Sequence, residues 1–183
     1  MKVKDIVLSV AQALGFKEGV SAYLQEGDKT YEREAELILA CFNRVEGGLA
    51  LEYVPLYAED ELLLSMDRVE YSSLSYSPVR IVGVEDGAGN PVKYKLFPKY
   101  IKAQSGKIKV IYTYTPNAKG MDDDSDFTAR VTQTVFVHGI LAEYCMAEGR
   151  FEEANYWDKK YKKGIETTFL GKPCVRLATR RWV

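Results

Sequence analysis

The stretch 136–169, FVHGILAEYCMAEGRFEEANYWDKKYKKGIETTF, decides the reading of this chain. Two helical patterns meet at Gly149-Arg150 with room for no more than a tight turn, which makes an αα-hairpin. The first helix is apolar on two sides. Phe127, Val131, Val135, His138, Ala142 and Cys145 form one stripe, and Phe136, Ile140, Tyr144 and Ala147 form another. A surface helix needs one apolar stripe, so this helix is either central or packed against a second chain. The second helix has a narrower stripe of Phe151, Ala154, Trp157, Tyr161 and Ile165. Its charges follow the helix dipole, with Glu152 and Glu153 first and Lys159, Lys160, Lys162 and Lys163 later.

Working toward the N-terminus, residues 116–126 (PNAKGMDDDSD) read as a polar, acidic loop. Asp122, Asp124 and Asp126 imitate the opening of a calcium loop. Phe127 then stands where that loop needs glycine, and Gln133 where it needs a bidentate glutamate. The better reading is a cap: Asp124 or Ser125 starts a helix near Phe127, with the carboxylates at its positive end.

Between about Arg68 and Thr115 the apolar period changes to two, in Val79–Val84, Val92–Phe97 and Lys107–Tyr114. The connectors Asp86–Pro91 and Gln104-Ser105-Gly106 have turn chemistry. The expectation is an antiparallel meander with one wetter face. Its tyrosines (71, 76, 94, 100, 112 and 114) are read as cross-strand packing.

The N-terminal part is helical in pattern. Val3, Ile6, Val7, Val10 and Leu14 form a stripe that Gly15 stops, and residues 17–29 read as a loop. Tyr31, Ala35, Ile38, Phe42, Val45 and Leu49 form the stripe of a longer helix. It either breaks at Gly47-Gly48 or runs on to Tyr53, with Pro55 ending it in both cases.

The 183 residues are 46% hydrophobic and 28% charged, with a formal net charge of −1. That suits one sizeable core and supplies no global field for nucleic acid or anionic membrane. There is no secretory apolar segment after Met1, and Val131–Ala142 is too short to span a bilayer. Cys41, Cys145 and Cys174 are scattered and odd in number, as expected of small buried hydrophobes in a reducing compartment. His138 is the sole histidine and is expected to be a hydrogen-bonded core residue, so no zinc or general-base site assembles. No phosphate-binding loop, dinucleotide fingerprint or nucleophile elbow is present, and no cofactor is expected. The expected role is not enzymatic.

The order Ala, Gly, aromatic, Glu-x-Ala, aromatic at the hairpin is shared with tetratricopeptide repeats. Those need several copies at a fixed period, and no second copy occurs. The segment AEYCMAEGRFEEANYWDKKY (142–161), with an acidic loop and a Tyr-rich β segment before it and a short basic tail after it, also resembles the head–tail adaptor, or connector, proteins of tailed bacteriophages. The order of parts is similar: N-terminal helices, β insertion, C-terminal helix pair. The resemblance implies a structural virion protein made in the bacterial cytoplasm. It would form a ring beneath the portal protein, join portal to tail and line the DNA channel without reading nucleotide sequence. The rival reading is an intracellular helical module that binds proteins or peptides.

The expected fold is therefore α+β: a mainly helical bundle of about four helices with an inserted antiparallel β subdomain at roughly 56–116. Residues 1–171 form one domain and 172–183 a basic tail. That tail holds Lys172, Arg176, Arg180 and Arg181 with no acidic residue, interleaved with Val175, Leu177 and Trp182. Arg176, Arg180, Arg181 and Trp182 are the expected partner-binding anchors, since arginine and tryptophan are enriched at energetic centres of interfaces.

Overall fold

The computed structural model describes residues 1–64, 67–104, 106–127 and 131–169. Helix α1 (Val3–Leu14) buries Val3, Ile6, Val7, Val10 and Ala11 and ends at Gly15. Helix α2 (Lys17–Glu26) occupies the stretch whose polarity suggested a loop. It buries Val20 alone and is held by half-buried Tyr23 and Leu24. The Asp28 side chain then accepts from the Thr30 amide (3.0 Å) and hydroxyl (2.7 Å), fixing the turn into α3. Helix α3 (Glu32–Gly48) does not break at its glycine pair. It continues into a π-helical turn, Leu49–Tyr53, closed by the Val54 amide on the Leu49 carbonyl at 2.8 Å.

The β segment is two sheets rather than one meander. Strands β1 (Leu56–Leu63), β3 (Pro78–Asp86) and β6 (Lys107–Tyr114) form an antiparallel sheet in the order β1-β6-β3. Strands β2 (Arg68–Glu70), β4 (Tyr94–Leu96) and β5 (Tyr100–Ala103) form a second, in the order β2-β5-β4. Strand β1 carries Glu59, Asp60 and Glu61 in succession, which hides its strand character. Its register against β6 sets Glu59 opposite Ile111 and Glu61 opposite Lys109. The two sheets enclose Val69, Leu74, Ile81, Val84, Ile101, Ile108, Val110 and Tyr112. Of the clustered tyrosines, Tyr76 stacks on Tyr114 with ring centroids 4.1 Å apart, and Tyr112 is fully buried.

Helix α4 (Gln133–Ala147) leads into α5 (Phe151–Phe169). The start near Phe127 is corrected. Ser125 Oγ accepts from the Phe127 amide at 3.2 Å, but α4 begins six residues later, after an extended Thr132. Helix α4 is central. It packs on α1, α3 and α5, and Val135, Phe136, Ile140, Leu141, Tyr144 and Cys145 are all buried. Both of its apolar sides are thus covered within the chain. Gly139 lets α4 approach closely: a Cβ there would lie 2.9 Å from both Val45 of α3 and the Tyr161 ring of α5.

The fold of the described residues is α+β, with five α-helices and two small three-stranded antiparallel sheets. The expectation of a four-helix bundle with an inserted β subdomain is overturned. Segment 17–26 adds a fifth helix among the described residues, the β segment is two sheets, and its strands meet the helical core at Leu56 and Tyr114. Leu56 of β1 belongs to the helical core, and Tyr114 of β6 packs against both cores. The loop after β6 is hydrogen-bonded to α3 and to the N-terminus. Among the described residues, no helix is long and apolar enough to cross a membrane.

Candidate interaction surfaces

The turn between α4 and α5 is built from backbone bonds. Glu148 N–H reaches the Tyr144 carbonyl (3.0 Å), Gly149 N–H that of Met146 (3.1 Å) and Arg150 N–H that of Cys145 (2.8 Å). Gly149 adopts φ 75°, a left-handed conformation open to glycine without cost. Arg150 pairs with Glu153, closing the first turn of α5. Arg33 to Glu148 (3.1 Å) and Arg44 to Glu143 (2.8 Å) tie α3 to α4. Among the charged side chains that the hairpin turns outward stand three large apolar ones: Met146 is 54% exposed, Phe151 66% and Tyr156 53%. These three side chains frame the tip and outer side of the hairpin.

His138 lies on α4 facing α5, half-buried, and stacks on Trp157 with centroids 5.5 Å apart. Lys160 lies over the rings of both Tyr156 (4.7 Å) and Trp157 (5.4 Å). Burial, and then the Lys160 charge, push the imidazole below its ordinary pKa. The expected hydrogen-bonded core histidine is therefore corrected to a stacked one. Among the described residues its ring has no side-chain hydrogen bond, because its neighbour across the helix interface is an indole face.

The acidic loop is fastened at several separate points. Asp124 accepts from the Met1 ammonium (3.3 Å) and from Lys2 (2.7 Å), and the Lys2 hydrogen bond holds its carboxyl below the usual range. Asp123 accepts from the Gly120 amide (2.7 Å), and Asp126 pairs with Lys119 (2.7 Å). The Asp126 carboxylate also lies 3.5 Å from the Tyr114 hydroxyl, whose pKa is pushed up to about 12 by burial and by that charge. The carboxylates diverge to different partners, and no group of three potential metal ligands forms among the described residues.

Two α3 side chains hold this loop from below. Asn43 Oδ1 accepts from the Lys119 amide (2.7 Å) and its Nδ2 donates to the Lys119 carbonyl (3.1 Å). Glu46, 1% exposed, accepts on Oε1 from Ser125 Oγ (2.6 Å) and from the Asp126 amide (2.9 Å). Its Oε2 is buried without a hydrogen-bond partner among the described residues, and burial raises its pKa. Sequence reasoning passed over Glu46. The signal was there: it stands four residues after Phe42, within the apolar stripe of α3, where a glutamate needs a dedicated partner.

Cys41 and Cys145 are buried free thiols, both pushed up by burial, Cys41 to about 11. The anchors expected in the tail (Arg176, Arg180, Arg181 and Trp182), and Cys174 with them, lie outside the described residues. A comparison of the chain with protein-family models finds no match, and no curated protein matches it.

Proposed function

We propose that this protein is a structural component of a tailed-phage particle, a ring-forming head–tail adaptor that joins portal to tail around the DNA channel. The role is mechanical and not catalytic. It is made in the bacterial cytoplasm and ends in the virion. The observation that carries the reading is the 142–161 segment. Its sequence resembles the adaptor hairpin, and it forms a braced helix pair with Met146, Phe151 and Tyr156 turned outward. Exposed aromatic and methionine side chains on a rigid element suit a protein–protein contact. The second apolar side of α4 gives no support, because α1, α3 and α5 cover it. The subunit contact is therefore assigned to the outer side of the hairpin. The basic tail, with Arg176, Arg180, Arg181 and Trp182, is the arm that docks on the neighbouring subunit or the portal protein.

The test is a pair of variants in particle assembly. Phe151→Asp with Met146→Asp removes the outward apolar surface, and deletion of residues 175–183 removes the arm. Each is expected to keep its melting temperature within a few degrees and to lose incorporation into capsids. Infectious particles assembled from both variants would contradict the reading.

A further inference from the structure

The charge of this chain is segregated. Residues 91–120 contain seven lysines and no acidic residue. In the β1-β6-β3 sheet those lysines are matched, Lys107 with Glu61 and Lys109 with Glu59. In the β2-β5-β4 sheet they are not. Lys102 of β5 stands directly opposite Arg68 of β2 on one side and Lys95 of β4 on the other. Three cations thus lie in one row across three strands. Val69, Ile101 and Ala103 are the buried alternates, so the row is on the outer face, and all three cations are exposed. Lys93, two residues before Lys95, joins Lys95 and Lys102 along a groove with Phe97. None of the four has an ion-pair partner among the described residues. The one carboxylate in register on this face, Glu70, lies opposite Tyr100 and accepts from Ser72.

Like charges directly opposite one another destabilise a sheet. A three-residue strand on each side of β5 is a poor place to carry that penalty unless an anion relieves it. We infer that the outer face of the β2-β5-β4 sheet binds the phosphodiester backbone of duplex DNA, weakly and without regard to sequence. The residue types favour nucleic acid over an acidic protein. Lysine is depleted at protein–protein interfaces, whereas it neutralises phosphates as a mobile point charge. The aromatics favour the duplex over a single strand. Tyr100 is already engaged, with the Arg68 guanidinium 4.8 Å from its centroid and Phe97 stacked at 4.7 Å. The pair orders Arg68 and already engages the Tyr100 ring, which a single strand would need for stacking. The surface is independent of the ring reading, since a monomer carries it whole.

The probe is a fluorescein-labelled duplex of about 20 base pairs and arbitrary sequence, titrated with the full chain by anisotropy across salt. Binding is expected to weaken by about a hundredfold between roughly 50 and 200 mM salt, the response of a contact that neutralises about four phosphates. Lys95→Gln with Lys102→Gln is expected to weaken binding at least tenfold at low salt and to reduce the log–log salt slope by roughly 2. The same variant should melt at or above the parent temperature, because a like-charge row has been relieved; this separates lost binding from lost folding. Lys159→Gln with Lys163→Gln, on α5, should change nothing. No binding at low salt, or an unchanged slope in the sheet variant, would overturn the assignment. So would polyglutamate of equal charge displacing the duplex as well as unlabelled DNA does, which would make the face a dock for acidic protein.

Discussion

Glu46 is the residue at which sequence economy and physical cost meet. One carboxylate oxygen anchors the loop at Ser125 and Asp126, and the other is buried with no hydrogen-bond partner among the described residues. Its folded pKa is raised by burial, so its contribution to stability is full below the unfolded carboxyl range and is lost as pH rises through the folded value. Glu46→Gln keeps an acceptor and removes the charge. Chemical denaturation should find it neutral or more stable by about 1 kcal/mol at pH 8, the advantage shrinking as pH falls. Glu46→Ala leaves both donors unanswered and should cost about 2–3 kcal/mol. A Gln variant that loses stability most at alkaline pH would show that the charge itself is needed. Gly139 gives a second single-residue test. Alanine gains about 1 kcal/mol of helix propensity over glycine. At Gly139 the new methyl meets Val45 and Tyr161 at 2.9 Å, and overpacking of that kind costs about 1–3 kcal/mol, so Gly139→Ala should destabilise. Gly48 is helical with nothing within 4 Å, so Gly48→Ala should stabilise by roughly 0.5–1 kcal/mol. Paired thermal melts read both signs.

At the scale of elements, legibility followed burial. The α4–α5 turn and the strands around Val79–Val84 and Ile108–Tyr114 were readable because their apolar spacing is dense and their turns carry Gly149 or Asp86–Pro91. Helix α2 was not, because a helix burying Val20 alone has almost no stripe to read. Strand β1 was not, because Glu59 and Glu61 face outward against β6 and Asp60 points to a polar node. The split into two sheets was also hidden, since strand pairing is set by contacts distant in sequence, such as Leu56 with Tyr114 and Val69 with Ile101. At the hairpin, spacing alone exposed the helices but not which side of α4 is covered. The polar node of β1 is testable. The fully buried Tyr112 donates to Asp60 at 2.7 Å and accepts from the Tyr76 amide at 3.1 Å. Tyr112→Phe removes both bonds and should cost about 1–2 kcal/mol in urea denaturation. An unchanged midpoint would mean that the Asp60–Ser75 bonds carry the node unaided.

At the scale of the whole molecule, the described residues form two cores joined through Leu56, Tyr114 and the loop that α3 holds. Among the described residues, α1, α3 and α5 cover the central helix, so the proposed assembly is assigned to surface features: the outward hairpin residues and the basic tail. In the proposed ring, the contact forms late, between finished subunits, and can be removed without unfolding them. Native mass spectrometry from micromolar to millimolar concentration tests this most directly. The expected result is a concentration-dependent series that ends in one closed ring species and that Phe151→Asp with Met146→Asp abolishes while the monomer stays folded. A strict monomer across the whole range, or a ring that survives those substitutions, would contradict it.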